Sequence, residues 1–521
     1  MIYAGGAGVG AFTMVAENAG LPSSSPSASP SPSPAPGLVG SLWLLPLLLV
    51  LLAGLRIAAL VISPLGLQSD EAQYWVWAQA PDFGYFSKPP LVAWAIAVTS
   101  GLFGDGPAAV RLAAPLAHVA TALLVWRLAS RLYGARAGFW SGLAFATMPG
   151  VWFSAMIMST DALLLPLWAL ALFGFERATT TGRPMWWVLV GTAFGAGLMA
   201  KYAMAYFALG ALIYLLWEPS ARAGARGGRW LWALPPAALL FAPNMLWNAR
   251  HHWASFGHTA ANANLGGPLF NPGELGEFAL SQVAVFGPFL LLAFGWKLFS
   301  LGGKPPDRRP ATRFLIAFSV PVLALMLGQA FLSRAHANWA ATAYVAATIL
   351  AVAWLVEGRR QIWMGAIVAV QAVIGMGFLA VVGLGAVPGV EPSSSRDPFK
   401  ALRGWDQLVA AVAQARATYP DALVVANERE YLVQLMYGLA PDGLAFRKWN
   451  PGRGTHDHFD LFSGLEGDKG RDLIIVTRSR NQREFARYGS DLVDLGTVTT
   501  RSDGDPRGTY KLWLVHGFAG Y

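Results

Sequence analysis

The sequence predicts an α-helical polytopic membrane protein with a small C-terminal α/β domain. Three observations lead there. The 521 residues are 55% hydrophobic and only 13% charged, where a soluble globular chain carries about 25% charged residues. Apolar runs long enough to cross a bilayer recur along the first 387 residues. The charge is also unevenly placed. Of 38 basic and 29 acidic residues, 17 of each sign lie between residues 391 and 511, so the net charge of +9 belongs to what precedes them. A basic excess in a soluble chain suggests nucleic acid. Here it sorts by loop, and no nucleic-acid partner is expected. No cysteine is present, which excludes disulfides, thiolate metal sites and cysteine nucleophiles.

Taken in order, residues 1–37 contain an alternating Ser/Pro/Ala tract with no apolar pattern to bury, and read as a disordered cytoplasmic tail. No Lys or Arg precedes Arg56, so the charged start of a cleavable signal peptide is missing, and the first apolar run reads as a retained anchor. Runs of spanning length lie near 38–62, 109–131, 136–156, 160–177, 185–202, 203–217, 230–247, 278–300, 313–332, 338–356 and 361–387. They predict about eleven transmembrane helices in a domain over 38–387. Of the 21 basic residues before 391, 15 fall in one alternate set of loops. Short-loop Lys and Arg stay cytoplasmic, which places the amino terminus inside. An odd helix count then places residues 388–521 outside, as an extracytoplasmic domain. Within it, 422–426, 472–477 and 510–515 read as strands and 429–439 as a helix.

The long first external loop, residues 63–108, is the most informative region. It opens on Gln68-Ser69-Asp70-Glu71-Ala72-Gln73-Tyr74-Trp75 and continues through Gly84-Tyr85-Phe86-Ser87-Lys88-Pro89-Pro90 to an apolar stretch, 91–103, expected to lie along the membrane interface. Asp70 and Glu71 form a carboxylate pair at the membrane surface. Such groups are expensive there and point to function, and one of them can take a proton from an attacking hydroxyl. The same residues after Ser69 also fit a helix N-terminus, where acids favour the dipole. Asp161, in Met158-Ser159-Thr160-Asp161, reads the same two ways: a helix cap, or a second carboxylate on the same membrane face as Asp70. Lys88 is the sole base of the loop, a headgroup-seeking side chain or a phosphate ligand. Lys201, Arg250 and Arg334 are the other external cations near helix ends. His251, His252 and His258 have no carboxylate at ligand spacing, so no metal is expected. They read as interfacial histidines among Trp247 and Trp253.

At these residues the chain resembles the GT-C superfamily of polyprenyl-phosphate-sugar-dependent glycosyltransferases. The branch is that of protein O-mannosyltransferases and lipid A aminoarabinose transferases, and the wording is most similar to bacterial lipopolysaccharide galacturonosyltransferases. The resemblance covers roughly residues 40–355 and is strongest over 66–180. It implies a GT-C fold in the bacterial inner membrane, with the terminal domain periplasmic. It implies transfer of a single sugar from a polyprenyl-phosphate donor to a lipid, glycan or protein acceptor, by inverting displacement and without a cofactor. In that reading Asp70 is the catalytic base, Glu71 orients or assists it and Asp161 is the second acidic position. Lys88 contacts the donor phosphate, with Tyr85 beside it, and Arg250 and Arg334 are further phosphate candidates. Phosphate leaves without a general acid, but it needs a cation for its developing charge.

A transporter or lipid-linked-sugar flippase is the alternative. It fits less well, because no internal repeat is visible and the acids gather in one-sided loops. A purely structural protein leaves the first-loop carboxylates without a role.

Overall fold

The computed structural model describes residues 43–300, 309–358, 360–384, 402–439, 446–502 and 505–521. The expected tail and the expected junction at 388 lie outside the described residues. Five helices are long and apolar enough to cross a membrane: Leu44–Ile62, Pro107–Tyr133, Thr160–Thr181, Pro310–Leu332 and Ile362–Gly383. Two further pairs pass the same test but are sharply bent, Tyr202–Trp217 with Pro219–Arg250 (114°) and Pro272–Phe286 with Pro288–Phe299 (109°). The helical membrane architecture therefore holds, with five straight spans among the described residues, or seven if each bent pair crosses once.

The departures from unbroken spans have local causes. The run 136–156 is split: a helix ends at Thr147, Met148 is extended, and Pro149 starts a new short helix. Proline has no N–H to continue the first helix but suits the first position of the next. Gly287, at φ 86°, plays the same part before Pro288. The helix Ala343–Glu357 is apolar all round and has 12 of its 15 residues buried, as expected for the centre of a bundle. In Leu44–Ile62 one stripe, including Leu45, Leu49 and Ala53, packs inward, while Leu47, Val50, Leu51 and Leu55 remain exposed. An exposed leucine row on a helix of this length is a lipid-facing surface.

The terminal part forms a five-stranded sheet, β1 (Leu423–Ala426), β2 (Phe446–Lys448), β3 (Leu473–Thr477), β4 (Asp491–Ser502) and β5 (Asp505–His516), in the order β2-β1-β3-β5-β4. β1 runs parallel to β2 and β3, and β5 antiparallel to β3 and β4. β1 and β3 are buried throughout, which is why they read as continuous apolar runs. β2 and β4 were not expected: β2 is three residues long and β4 is largely polar.

Between the two parts lie two helices of the first loop, Ser69–Gln79 and Leu91–Phe103. One apolar core runs from them into the terminal sheet. Leu67, Trp75, Trp77 and Val92 share it with Leu408, Val424, Tyr431 and Val476.

Candidate functional site

Asp70 sits in the first turn of the helix Ser69–Gln79, and the way that helix starts decides where its carboxylate points. Gln68 caps it, and the Glu71 side chain turns back to accept the Gln68 N–H at 2.9 Å. Glu71 is fully buried. Arg111 donates to both its oxygens, through Nε at 2.8 Å and Nη2 at 2.7 Å, and the Met158 N–H donates to Oε1 at 2.7 Å. The same guanidinium bonds the carbonyls of Leu65 and Gly66. Glu71 thus ties the loop helix to Arg111 and to the chain entering the helix Thr160–Thr181. It does not line the cavity described next. Glu71 is expected to orient or assist Asp70; neighbours on a helix point about 100° apart, and Glu71 points into the protein, where its contacts hold the start of the Asp70 helix.

Asp70 itself lines a cavity of about 840 Å³. So do Asp161, Lys88, Lys201 and, from the terminal part, Arg429. Asp161 lies at the start of the helix Thr160–Thr181, capped by Ser159 rather than Thr160. Lys201 donates to both Asp161 oxygens at 2.8 and 2.9 Å, and Asn338 to one at 2.6 Å. Asp70 is freer. It is half-exposed, and Arg429 donates to its Oδ1 at 2.8 Å. Among the described residues no carboxylate pairs with Lys88. Burial first, then the neighbouring Lys201 charge, holds its ammonium below the usual lysine range, with Asp70 and Asp161 pulling the other way. Burial also pushes His258, on the same wall, down to about 4, so its imidazole is neutral at neutral pH. Away from these groups the lining turns apolar, with Phe145, Met148, Val151, Leu165 and Val285. The charged and the apolar side chains line one cavity, and the helix breaks at Pro149 and Gly287 lie within two residues of its lining residues Met148, Gly150 and Val285.

The segment carrying Lys88 is fixed from both sides. Tyr85 stacks on Trp77 with ring centroids 4.4 Å apart, donates to the Trp77 carbonyl and accepts the Asp82 N–H. Ser255 donates to the Tyr85 carbonyl, Asn244 to the Phe83 carbonyl and Trp247 to Asp82. A Cβ at Gly84 would lie 2.5 Å from the Trp247 ring, so only glycine lets the two segments close. Tyr85 therefore shapes the loop and does not line the cavity, against its expected contact with substrate. Arg250 and Arg334 do not line it either; both are exposed. His251 stacks on Trp247. Among the described residues no three metal-ligating side chains converge.

Two further cations face the cavity, Lys201 and Arg429. In sequence Lys201 stands out only as a base near a helix end. Arg429, the first residue of a terminal helix, gave no local signal, because its partner lies more than 350 positions away.

Residues 87–247 match the family described as dolichyl-phosphate-mannose-protein mannosyltransferase. The chain is 38% identical over 291 residues to a lipid A galacturonosyltransferase of Rhizobium johnstonii, covering 55% of this chain and 60% of that one. It is 31% identical over 203 residues to an undecaprenyl phosphate-α-4-amino-4-deoxy-L-arabinose arabinosyl transferase of Pseudomonas fluorescens, covering 34% and 36%. The chain thus spans less than two thirds of these relatives. Among solved structures, ArnT from Cupriavidus metallidurans in the apo state superposes with a TM-score of 0.63 at 14% identity, over 89% of this chain and 97% of that one. The same protein bound to undecaprenyl phosphate gives 0.62 at 15% identity, over 91% and 98%. The chain thus shares its fold with ArnT, and its first-loop carboxylate Asp70 lines the cavity.

Proposed function

We propose that this protein moves a single sugar from a polyprenyl-phosphate donor to a hydroxyl of a lipid acceptor, of the lipid A or lipopolysaccharide class. The observation that carries the reading is the shared cavity, which Asp70 and Lys88 line together with apolar side chains such as Phe145, Val151 and Leu165. A polyprenyl phosphate has the matching shape, an anion at the end of a long apolar chain. The curated relatives named above act on lipid A and undecaprenyl-phosphate sugars, which supports the same donor and acceptor classes here. A protein or glycan acceptor is the less supported choice.

In this mechanism the acceptor hydroxyl attacks the anomeric carbon and gives its proton to Asp70. The bond to the phosphate oxygen breaks, and the electron pair leaves with the phosphate towards Lys88. Asp70 suits the base role better than Asp161, both of whose oxygens are held by Lys201 and Asn338. Asp161 then positions Lys201. A single in-line displacement inverts the anomeric carbon. We place the reaction at the periplasmic face of the bacterial inner membrane. The chain crosses about eleven times, with its amino terminus cytoplasmic and the terminal part periplasmic.

Mass spectrometry of lipid A from a deletion strain tests the reading in the cell. The expected result is loss of one sugar, restored by the wild-type chain and not by Asp70→Asn. An unchanged lipid A profile would count against this acceptor class.

Lys88 gives a pH prediction. Donor capture needs the ammonium, and its pKa is lowered, so kcat/KM for the donor falls as pH rises through that lowered value, earlier than for an ordinary lysine. The groups around it are Lys201, Asp70, Asp161 and Arg429. Lys88→Arg keeps the charge at all accessible pH and moves the alkaline limb upward. An alkaline limb that does not move removes Lys88 from donor capture.

A further inference from the structure

The terminal part has no assigned role in the reaction, yet it closes one wall of the cavity. The helix Arg429–Gly438 lies against the helix Ser69–Gln79. Gln434 donates to the Leu67 carbonyl at 2.8 Å, Tyr437 to the Asp105 carbonyl at 2.7 Å, and the Tyr437 ring meets Trp75 edge-on. Tyr431, Leu432 and Leu435 enter the same core as Ala72 and Trp75. This docking is made by apolar surface and neutral hydrogen bonds, so it does not require the charge of Arg429.

The Arg429 guanidinium instead reaches the cavity, where it donates to Asp70 and to Gln73. The pair with Asp70 is loose, with side chains 35% and 50% exposed, and ion pairs at such exposure are weak. Lys88 and His258 both feel the charges of Asp70 and Arg429, so the guanidinium, the ammonium and the carboxylate share one small region. A phosphate offers a guanidinium two oxygens at once and at least the same charge as a carboxylate.

Resting on the polyprenyl-phosphate reading above, we infer that Arg429 is a donor-phosphate ligand supplied by the terminal part. In this structure it pairs with Asp70; when a polyprenyl phosphate binds beside Lys88, the guanidinium turns to the phosphate and leaves the Asp70 carboxylate free. The base is then released only when the leaving group is in place. During transfer the hydroxyl proton goes to Asp70 and the phosphate oxygen takes the electron pair. The guanidinium and the Lys88 ammonium face the charge so formed. The site is incomplete without the terminal part.

The test measures binding of undecaprenyl phosphate, and of uncharged undecaprenol, to the full-length protein in detergent. Arg429→Gln is expected to weaken undecaprenyl phosphate binding roughly tenfold, in the range of one lost charge-assisted hydrogen bond, and to leave undecaprenol binding unchanged. Arg429→Lys restores part of the loss. Gln434→Ala perturbs the same docking contact without removing charge, and keeps phosphate binding at the wild-type level. Wild-type phosphate affinity in Arg429→Gln overturns the inference while leaving the sugar-transfer reading intact. So does an equal loss for undecaprenol, which marks Arg429 as a docking contact only. A wild-type protein that prefers undecaprenol to its phosphate overturns both.

Discussion

Replacing Asp70 by Asn lowers kcat by about a thousandfold, within the range of a positioned general base. The substitution is close to isosteric, and Asp70 is a half-exposed residue of a first helical turn, so the fold survives it. Its carboxylate lines the cavity and pairs with Arg429 through Oδ1 alone. Asp161→Asn acts differently. It frees Lys201 and Asn338 and disturbs the cavity wall, so its activity loss comes with a change in donor KM. Steady-state kinetics of both variants separate the roles. A larger kcat loss in Asp161→Asn than in Asp70→Asn, at unchanged KM, would transfer the base role to Asp161.

Arg111→Met destabilises the protein by about 3–5 kcal/mol, the cost of leaving a buried charge without its partner. The Glu71 side chain is fully buried and that of Arg111 nearly so, and Glu71 also fixes Gln68 and Met158. Without the guanidinium, the start of the helix Ser69–Gln79 loses its tie to the chain leading into Thr160–Thr181, and Asp70 and Asp161 lose their common frame. Thermal unfolding in detergent measures the effect. The double variant Arg111→Met/Glu71→Leu recovers much of the stability, because two apolar groups replace the buried pair. A single Arg111→Met with wild-type stability would contradict the structural role given to Glu71.

The helical membrane class was legible from composition, and β1, β3 and β5 from their apolar runs. Asp70, Asp161 and Lys88 stand out in the sequence because charge is rare beside long apolar runs, and they share one cavity. Their individual contacts were not legible. Glu71 looks like a twin of Asp70 in sequence, but its direction is set by the helix turn and by Arg111, 40 positions away. Tyr85 sits in the most recognisable stretch, yet its hydroxyl is consumed by the loop's own backbone. Arg250 and Arg334 were singled out for being scarce external cations, a criterion that sees loops and not the direction of side chains. Lys201 and Arg429 reach the cavity through tertiary packing, which leaves no spacing pattern to read.

Transfer of a sugar from a polyprenyl phosphate at this cavity can be observed in vitro. Its most direct measurement is a transfer assay with the purified full-length protein, a labelled polyprenyl-phosphate sugar and a lipid A acceptor, with the anomeric configuration of the product read by NMR. The expected result is label in the lipid acceptor, release of the polyprenyl phosphate, inversion at the anomeric carbon and dependence on Asp70. Transfer that proceeds with retention, or at the wild-type rate in Asp70→Asn, would contradict it.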